Sequence, residues 1–428
     1  MVRSGAVRAP VPELRQRRVQ EPSTELWVEA DESADATHGG SIRPGFAGAV
    51  ASYLPPVSRV LAAFAVDVGR PITRGLVEKA TGLVFAARAA GHDVVAAFPE
   101  DRVTRFYREG DLPEAKSQPP RTRIAEAIAA AHRFLGFWQD VRSALEADRF
   151  DVLWLRAHPI SRSQRRLLEA ARESGGVRVA YDIPTYPFDR ERPGTLRRLS
   201  RGVSFPLSAV SEFVEVFVTL SEHLHIEGVP TVRVKNGVSV AAQPRIATDH
   251  DGPTRLLGLG QWAYYHGLDR LLHAVSADSA AYLLRVAGDG PGVGAYATLA
   301  NRLGIAVEWL PPVFGAERDA LFDWADVGIG GLAIHRKGVY PDQALKHRVY
   351  AAAGLPFVCT TADPHWEGVA GVWQVPADES AIDGAELARR VKGFRQNAHR
   401  LRAPLREAAR RASWREAYRP LFDHFDQA

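Results

Sequence analysis

The chain has 428 residues, enough for two ordinary domains with sizeable cores. Hydrophobic residues make up 46% and charged residues 24%, the balance of a globular protein in water. The 54 lysines and arginines barely exceed the 50 acidic residues, too even a balance to imply nucleic acid, although a local basic face would still suit phosphate or anionic lipid.

The single cysteine, Cys359, excludes an intrachain disulfide and any cysteine zinc cluster, and its apolar surroundings favour a packed thiol. No uninterrupted apolar run is long enough to cross a bilayer. Arg3, Arg8, Arg15, Arg17 and Arg18 crowd a start that lacks the apolar core of a signal peptide, so a cytoplasmic protein is expected. Residues 1–55 show no hydrophobic periodicity and read as a disordered tail, with contact to a partner or an anionic surface as the alternative to simple solvation.

Order is expected from Val57, where the run to Val66 reads as a buried strand. The loop D-V-G-R-P-I-T-R-G follows, then a helix from Leu76 to Ala90 and a strand from Asp93 to Phe98. This strand–loop–helix–strand unit suits an open parallel sheet, but the loop lacks G-x-G-x-x-G spacing, so a dinucleotide fingerprint is absent. Residues 99–120 read as a polar loop, and Ile124 to Ala147 as a long helix. Its Phe134, Phe137 and Trp138 suit a core, with peripheral membrane attachment as the alternative.

A strand from Asp151 to Ala157 ends in Arg156 and His158, and a helix from Ser163 to Glu173 leads to the strand V-R-V-A-Y-D-I. The stretch P-T-Y-P-F-D-R-E-R, Pro184 to Arg192, then stands at a strand's carboxyl end, where open α/β sheets gather ligands. Asp182 and Glu191 flank or lie in it and offer acid–base or hydroxyl-binding groups, solvated carboxylates being the plainer reading. A strand from Val214 to Ser221 and a short last strand ending in Asn236-Gly237, a good turn pair, close the first half. Residues 239–253 read as a linker between a first domain of 56–238 and a second of 254–411.

The second half repeats the alternation, with strands expected at 255–259, 282–287, 307–310 and 326–332 and helices between them. The stretch His335 to Phe357, H-R-K-G-V-Y-P-D-Q-A-L-K-H-R-V-Y-A-A-A-G-L-P-F, organises this half. Ala344, Leu345, Arg348, Val349, Ala352 and Ala353 fall at helical spacing, and Gly354 and Pro356 stop the helix. A cationic, glycine-bearing loop feeding a helix N-terminus is an arrangement that binds phosphate; a surface turn before an alanine-rich core helix is the alternative. From Ala385 the chain reads as arginine-rich helix, its last part 412–428 ending in S-W-R-E-A-Y-R-P-L-F. No H-E-x-x-H, G-x-S-x-G, Cys-His pairing or Walker loop is present, which argues against metalloprotease, hydrolase and ATPase chemistry.

The segment L-K-H-R-V-Y-A-A-A-G-L-P-F resembles the donor-site helix of family 4 glycosyltransferases, in a branch with an L-K-S-R-E-Y type motif. D-I-P-T-Y-P-F-D resembles the E-I-P-T-Y-P-Y-D motif of that branch, and Y-H-G-L-D-R its W-H-G-Y-D-R. The resemblance runs from Val57 over the rest of the chain. It implies an α/β GT-B fold, two Rossmann-like parallel-sheet domains facing across a cleft, with 412–428 crossing back to brace the acceptor-binding first domain. It also implies transfer of a hexosyl group from a nucleotide sugar, with retention, to a glycan, a lipid-linked sugar or a metabolite. No metal and no cofactor beyond the nucleotide-sugar substrate would be needed, and no nucleic-acid partner; contact with the inner membrane face would be peripheral.

By the same resemblance Gly69 and Gly75 would lie under the donor diphosphate, although both glycines also suit a plain turn. Gln261, His266 and Gly267 would follow the first strand of the donor domain, with His266 protonated beside phosphate in place of the usual lysine. Arg336, Lys337, Lys346 and Arg348 would carry the cationic role, and Arg156 and His158 would orient sugar hydroxyls. Arg270 would be structural through Asp269. One departure stands out: Val349 occupies the place of the glutamate that binds the nucleotide ribose, and Pro341, with Asp342 beside it, that of a second glutamate. A valine accepts no hydrogen bond, so a non-catalytic GT-B partner or regulatory protein is the alternative. A sugar-nucleotide epimerase on the same fold is a weaker third.

Overall fold

The computed structural model describes residues 58–66, 68, 74–100, 103–108, 112–113, 135–156, 160–184, 186, 205–240, 250–338, 340–341 and 343–427. The tail expected over 1–55, Gly69, His158, Glu191 and Asp342 lie outside these residues, as does the first part of the helix expected from Ile124.

The first sheet has eight strands: β1 (Arg59–Phe64), β2 (Asp93–Glu100), β3 (Val103–Tyr107), β4 (Val152–Arg156), β5 (Arg178–Asp182), β6 (Val216–Thr219), β7 (His225–Ile226) and β8 (Val229–Arg233). They lie in the order β3-β2-β1-β4-β5-β6-β8-β7, all parallel except the edge strands β3 and β7. The central strands are continuous apolar runs because both faces are covered. On one face lie helices α1 (Arg74–Ala89) and, from the far end of the chain, α10 (Trp414–Asp426); on the other lie α2 (Phe137–Ala147) and α3 (Arg162–Glu173).

The second sheet is wholly parallel. Its strands are β9 (Thr254–Gln261), β10 (Tyr282–Asp289), β11 (Val307–Leu310), β12 (Val327–Ile329), β13 (Phe357–Thr360) and β14 (Val372–Val375), ordered β11-β10-β9-β12-β13-β14. Helices α4 (Leu268–Val275), α5 (Val293–Arg302) and α8 (Gly384–Gln396) cover one face; α6 (Gly315–Trp324), α7 (Leu345–Ala353) and α9 (Ala398–Arg410) cover the other. Both sheets belong to one compact unit, 54–428.

The region expected as a polar loop over 99–120 contains β3, antiparallel to β2. An edge strand with one face in water tolerates polar residues, and the Tyr107 hydroxyl and Arg105 both reach Glu100. The short last strand expected before Asn236-Gly237 is β8, which pairs parallel with β6 and turns back on β7 as a short hairpin; β7 and β14, which extends the second sheet, were not expected from the sequence. The arginine-rich end is three helices, separated at Asn397 and around Ser413, whose hydroxyl caps α10.

The last helix returns to the first sheet. Trp414, Tyr418, Leu421, Phe422 and Phe425 join β1, β2, β4 and α1 in one core. The junction is tight: a side chain at Gly237 would meet Trp414 at 2.5 Å. Val238 N–H donates to Ala412 O, and Lys235 N–H to Ala417 O, both at 3.0 Å.

Candidate functional site

Each parallel sheet presents its strand carboxyl ends, with their loops, to one edge. At the first sheet's edge Arg156 and Asp182 end neighbouring strands and pair directly, Nη1 to Oδ2 at 2.8 Å. The Asp182 side chain is wholly buried, and the Tyr418 hydroxyl from α10 donates to the same oxygen at 3.2 Å. Burial and the nearby carboxylate push the Tyr418 phenol well above its ordinary range, so it remains a donor. Lys79, on α1, is also buried; desolvation, with Arg156 and Arg348 nearby, holds its amine well below the usual lysine value.

Lys79 donates to the Asn236 side chain, which knots the two halves together. Asn236 N–H donates to Gln343 Oε1 (2.9 Å), its Nδ2 to Gln343 O (2.6 Å), and its carbonyl accepts from Arg348 Nε (2.6 Å). Gln343 and Arg348 frame the first turn of α7, so the position of that helix is tied to the first sheet.

Arg348 is therefore a joint, not an open phosphate ligand. It is 1% exposed and also donates Nη1 to Asp363 Oδ2 at 2.9 Å and to Ala344 O at 3.2 Å. That carboxylate oxygen takes two further donors, His347 Nδ1 (3.1 Å) and Trp366 Nε1 (3.0 Å). Burial opposes ionisation of Asp363, but Arg348 and His347 outweigh it and hold the carboxyl well below the usual carboxylate range. Gly331 N–H donates to His347 Nε2 at 3.0 Å, which leaves the His347 proton on Nδ1.

Arg336 departs from expectation in the same way. Its guanidinium forks onto Asp269 (3.0 and 2.9 Å) and reaches Glu379 (2.7 and 2.8 Å). Hydrogen bonds from Arg336 and His335 draw Glu379 down to about 2. Since Asp269 is taken by Arg336, Arg270 is structural by another route, donating to the carbonyls of Leu332, Pro376 and Ser380.

The second sheet's edge has a different character. Lys346, on the first turn of α7, sets its ammonium 4.3 Å from the centre of the Trp262 ring, a cation–π seat on a fully buried indole. Gly260, at φ +143° near the end of β9, lets it approach: a Cβ there would lie 3.1 Å from Lys346 Nζ. Lys337 lies 5.7 Å from the centre of the Tyr265 ring. No side chain caps the N-terminus of α7, whose first turn sits at the strand ends through the Gly331–His347 bond. Gln261 is exposed at the end of β9.

His266 is not protonated. Its Nδ1 accepts Ala263 N–H at 2.9 Å, and burial, then Lys346 and Lys337, depress its pKa to about 2. Burial first, and then the cations that were expected to share its phosphate, keep it neutral, with its proton on Nε2. Gly267 caps α4 at φ +70° and packs so closely that a Cβ would meet Ala333 N at 2.5 Å. Gly75 lies in the first turn of α1, with no described atom within 4 Å of an added Cβ, so it neither turns the chain nor is crowded there.

Several residues that shape the site carry little signal in the sequence. Lys79 is an ordinary lysine in an apolar helix, and Gln343 and Asp363 lie in unremarkable loops. Trp262, His347 and Asn236 carry some signal: an aromatic after G-L-G-Q, a histidine on an alanine-rich face, and a turn pair at a domain end.

No family model and no curated sequence matches the chain. Solved structures do. An α-glucosyltransferase in complex with UDP-glucose and DNA containing an abasic site superposes with TM-score 0.56 at 10% identity, over 86% of this chain and 99% of that one. A glycosyltransferase from Rickettsia africae ESF-5 gives 0.54 at 11% identity, over 86% and 98%. Anabaena Alr3699/HepE with UDP-glucose gives 0.52 at 12% identity, again over 86% and 98%.

The chain has the GT-B fold. The two sheets are its two Rossmann-like layers, and the returning α10 closes the first. Of the expected donor residues, this GT-B chain sets Lys346, Lys337 and neutral His266 near one another at the second sheet's edge, and it commits Arg336 and Arg348 to carboxylates. Among the described residues no group of His, Cys, Asp and Glu is placed to share a metal ion, and no helix is long and apolar enough to cross a membrane.

Proposed function

We propose that this chain is a glycosyltransferase of the family 4 type, taking a nucleotide sugar at the carboxyl edge of its second sheet. The observation that carries the reading is the uncapped N-terminus of α7 with Lys346 on its first turn, seated over Trp262 beside Gly260. A helix N-terminus and a fixed ammonium relieve the charge that builds on a departing diphosphate, with no metal required. Neutral His266 adds an uncharged Nε2–H donor in the same place. Two of the structures sharing the fold hold UDP-glucose, which supports a nucleotide-sugar donor here.

On this reading the acceptor, a hydroxyl of a glycan, a lipid-linked sugar or a metabolite, approaches from the first sheet. The hexosyl group is transferred with retention, the acceptor attacking on the face that the diphosphate vacates. The protein works in the cytoplasm, with at most peripheral contact to a membrane. The test is release of nucleoside diphosphate from UDP-, GDP-, ADP- and dTDP-glucose in the presence of mixed glycoside acceptors. Release above the buffer rate from at least one donor is expected; none from any donor counts against catalysis.

A second reading, a non-catalytic GT-B partner protein, is favoured by Val349. That side chain is half-buried against the apolar cluster of α7 and α9 and offers no hydrogen bond to a ribose. It predicts that Val349→Glu gains nucleotide binding that the wild type lacks.

A further inference from the structure

Beyond the donor edge, the carboxyl end of β6 carries a hydrogen-bonded chain that the reading above does not use. Thr219 and Ser221 are buried, with their hydroxyl oxygens 2.9 Å apart, and Ser221 N–H donates to Thr219 Oγ1 at 3.2 Å. Ser221 Oγ lies 3.2 Å from His223 Nδ1, and the His223 carbonyl accepts the Thr231 hydroxyl, which pins the loop to β8. The Tyr186 ring meets the His223 ring edge-on, centroids 4.9 Å apart. Leu220 N–H donates to Pro184 O at 3.0 Å, holding the β6 loop beside the P-T-Y-P stretch, and Asp182 is the ladder partner of Val218.

We infer that Ser221, His223 and Tyr186 form a binding subsite for a neutral carbohydrate, on the acceptor side of the cleft. This deepens the glycosyl-transfer reading and rests on it for the word acceptor. The argument is one of matched chemistry. If Ser221 donates to Nδ1, with Thr219 donating to Ser221, His223 Nε2 carries a proton and donates. If both hydroxyls rotate, Nδ1 donates to Ser221 and Nε2 accepts. A sugar hydroxyl is likewise donor and acceptor, so the relay lets one ring nitrogen serve whichever hydroxyl arrives. Tyr186 adds an aromatic ring beside that nitrogen, a surface for the apolar face of a pyranose. Among the described residues, Asp182 and Arg156 neutralise one another behind the loop.

The test is a titration of histidine-labelled protein, followed by nuclear magnetic resonance, with methyl α-glucoside, α-galactoside, α-mannoside and N-acetyl-β-glucosaminide. The His223 signals are assigned by their loss in His223→Gln. Saturable movement of those signals with at least one glycoside is expected, and Ser221→Ala should weaken that glycoside about threefold to tenfold, the size of one hydrogen bond. No saturable movement with any glycoside, or unchanged affinity in both variants, would overturn the inference. Calorimetry with UDP, run on the same samples, separates the two readings. Both variants should keep the wild-type response, and a wild type that binds a glycoside but no nucleoside diphosphate would leave the subsite standing while the transferase reading fell.

Discussion

The carboxyl edges of the two sheets are built from the same kinds of side chain and put them to opposite use. At the first edge the arginine has an adjacent carboxylate, and a tyrosine from the last helix seals the pair. At the second, the ammonium of Lys346 rests on an indole, and the nearest imidazole stays neutral. An aromatic ring attracts a cation through its quadrupole, whereas a carboxylate pairs with it directly. The described part of the first edge therefore holds a charge pair, whereas the second brings an ammonium against an aromatic ring. Helix α7 repeats the contrast within one element, since Lys346 faces the edge and Arg348 is buried in the joint to Asn236 and Asp363.

The largest expected effect tests the joint. Arg348→Ala leaves Asp363 buried without its cation and should cost about 3–5 kcal/mol in urea unfolding, the usual size for breaking a buried pair. A loss below about 1 kcal/mol, the surface-pair range, would show that Arg348 is more open than described. Next, Lys346→Met should weaken nucleoside diphosphate binding about tenfold to a hundredfold with little change in stability, since a charged hydrogen bond contributes about 1.5–3 kcal/mol. The same change producing lost stability with intact affinity would reverse the roles of Lys346 and Arg348.

Lys79 gives a pH signature. Its folded pKa is depressed, so between that value and its unfolded value near 10.5 the unfolded chain binds the extra proton, and stability rises with pH. The slope should approach at most about 1.4 kcal/mol per pH unit on the alkaline side of neutrality, and Lys79→Met should flatten it. An unchanged slope in the variant would place the titration elsewhere. The smallest effect concerns His266: held neutral, it should leave nucleotide affinity without a step near pH 6.5, and His266→Gln should keep that flat profile. A step near pH 6.5 that the substitution removes would restore a protonated imidazole.

Much of the fold was legible because parallel strands, buried on both faces, announce themselves as short apolar runs between amphipathic helices. β3 and β7 were harder to read, since edge strands share the composition of loops. The site was legible only in part. The stripe Ala344, Leu345, Arg348, Val349, Ala352 already placed Arg348 among packing positions, yet spacing alone does not reveal that Asp363 and the Asn236 carbonyl wait to receive it. Arg336 was misread for a similar reason: Asp269 and Glu379 are distant in sequence and adjacent in space. The His266 charge depended first on its burial and then on Lys346 and Lys337, which lie seventy to eighty residues away in sequence. Lys346 was recognised as a cation, but its aromatic seat required β9 and α7 to meet.

The most direct test of the central claim is isothermal titration of the full-length protein with UDP, GDP, ADP and dTDP. Binding of at least one, weakened in Lys346→Met and retained in His223→Gln, is the predicted result. Heat of binding from none of the four, or equal affinity in Lys346→Met, would contradict a nucleotide-sugar site at the second sheet's edge.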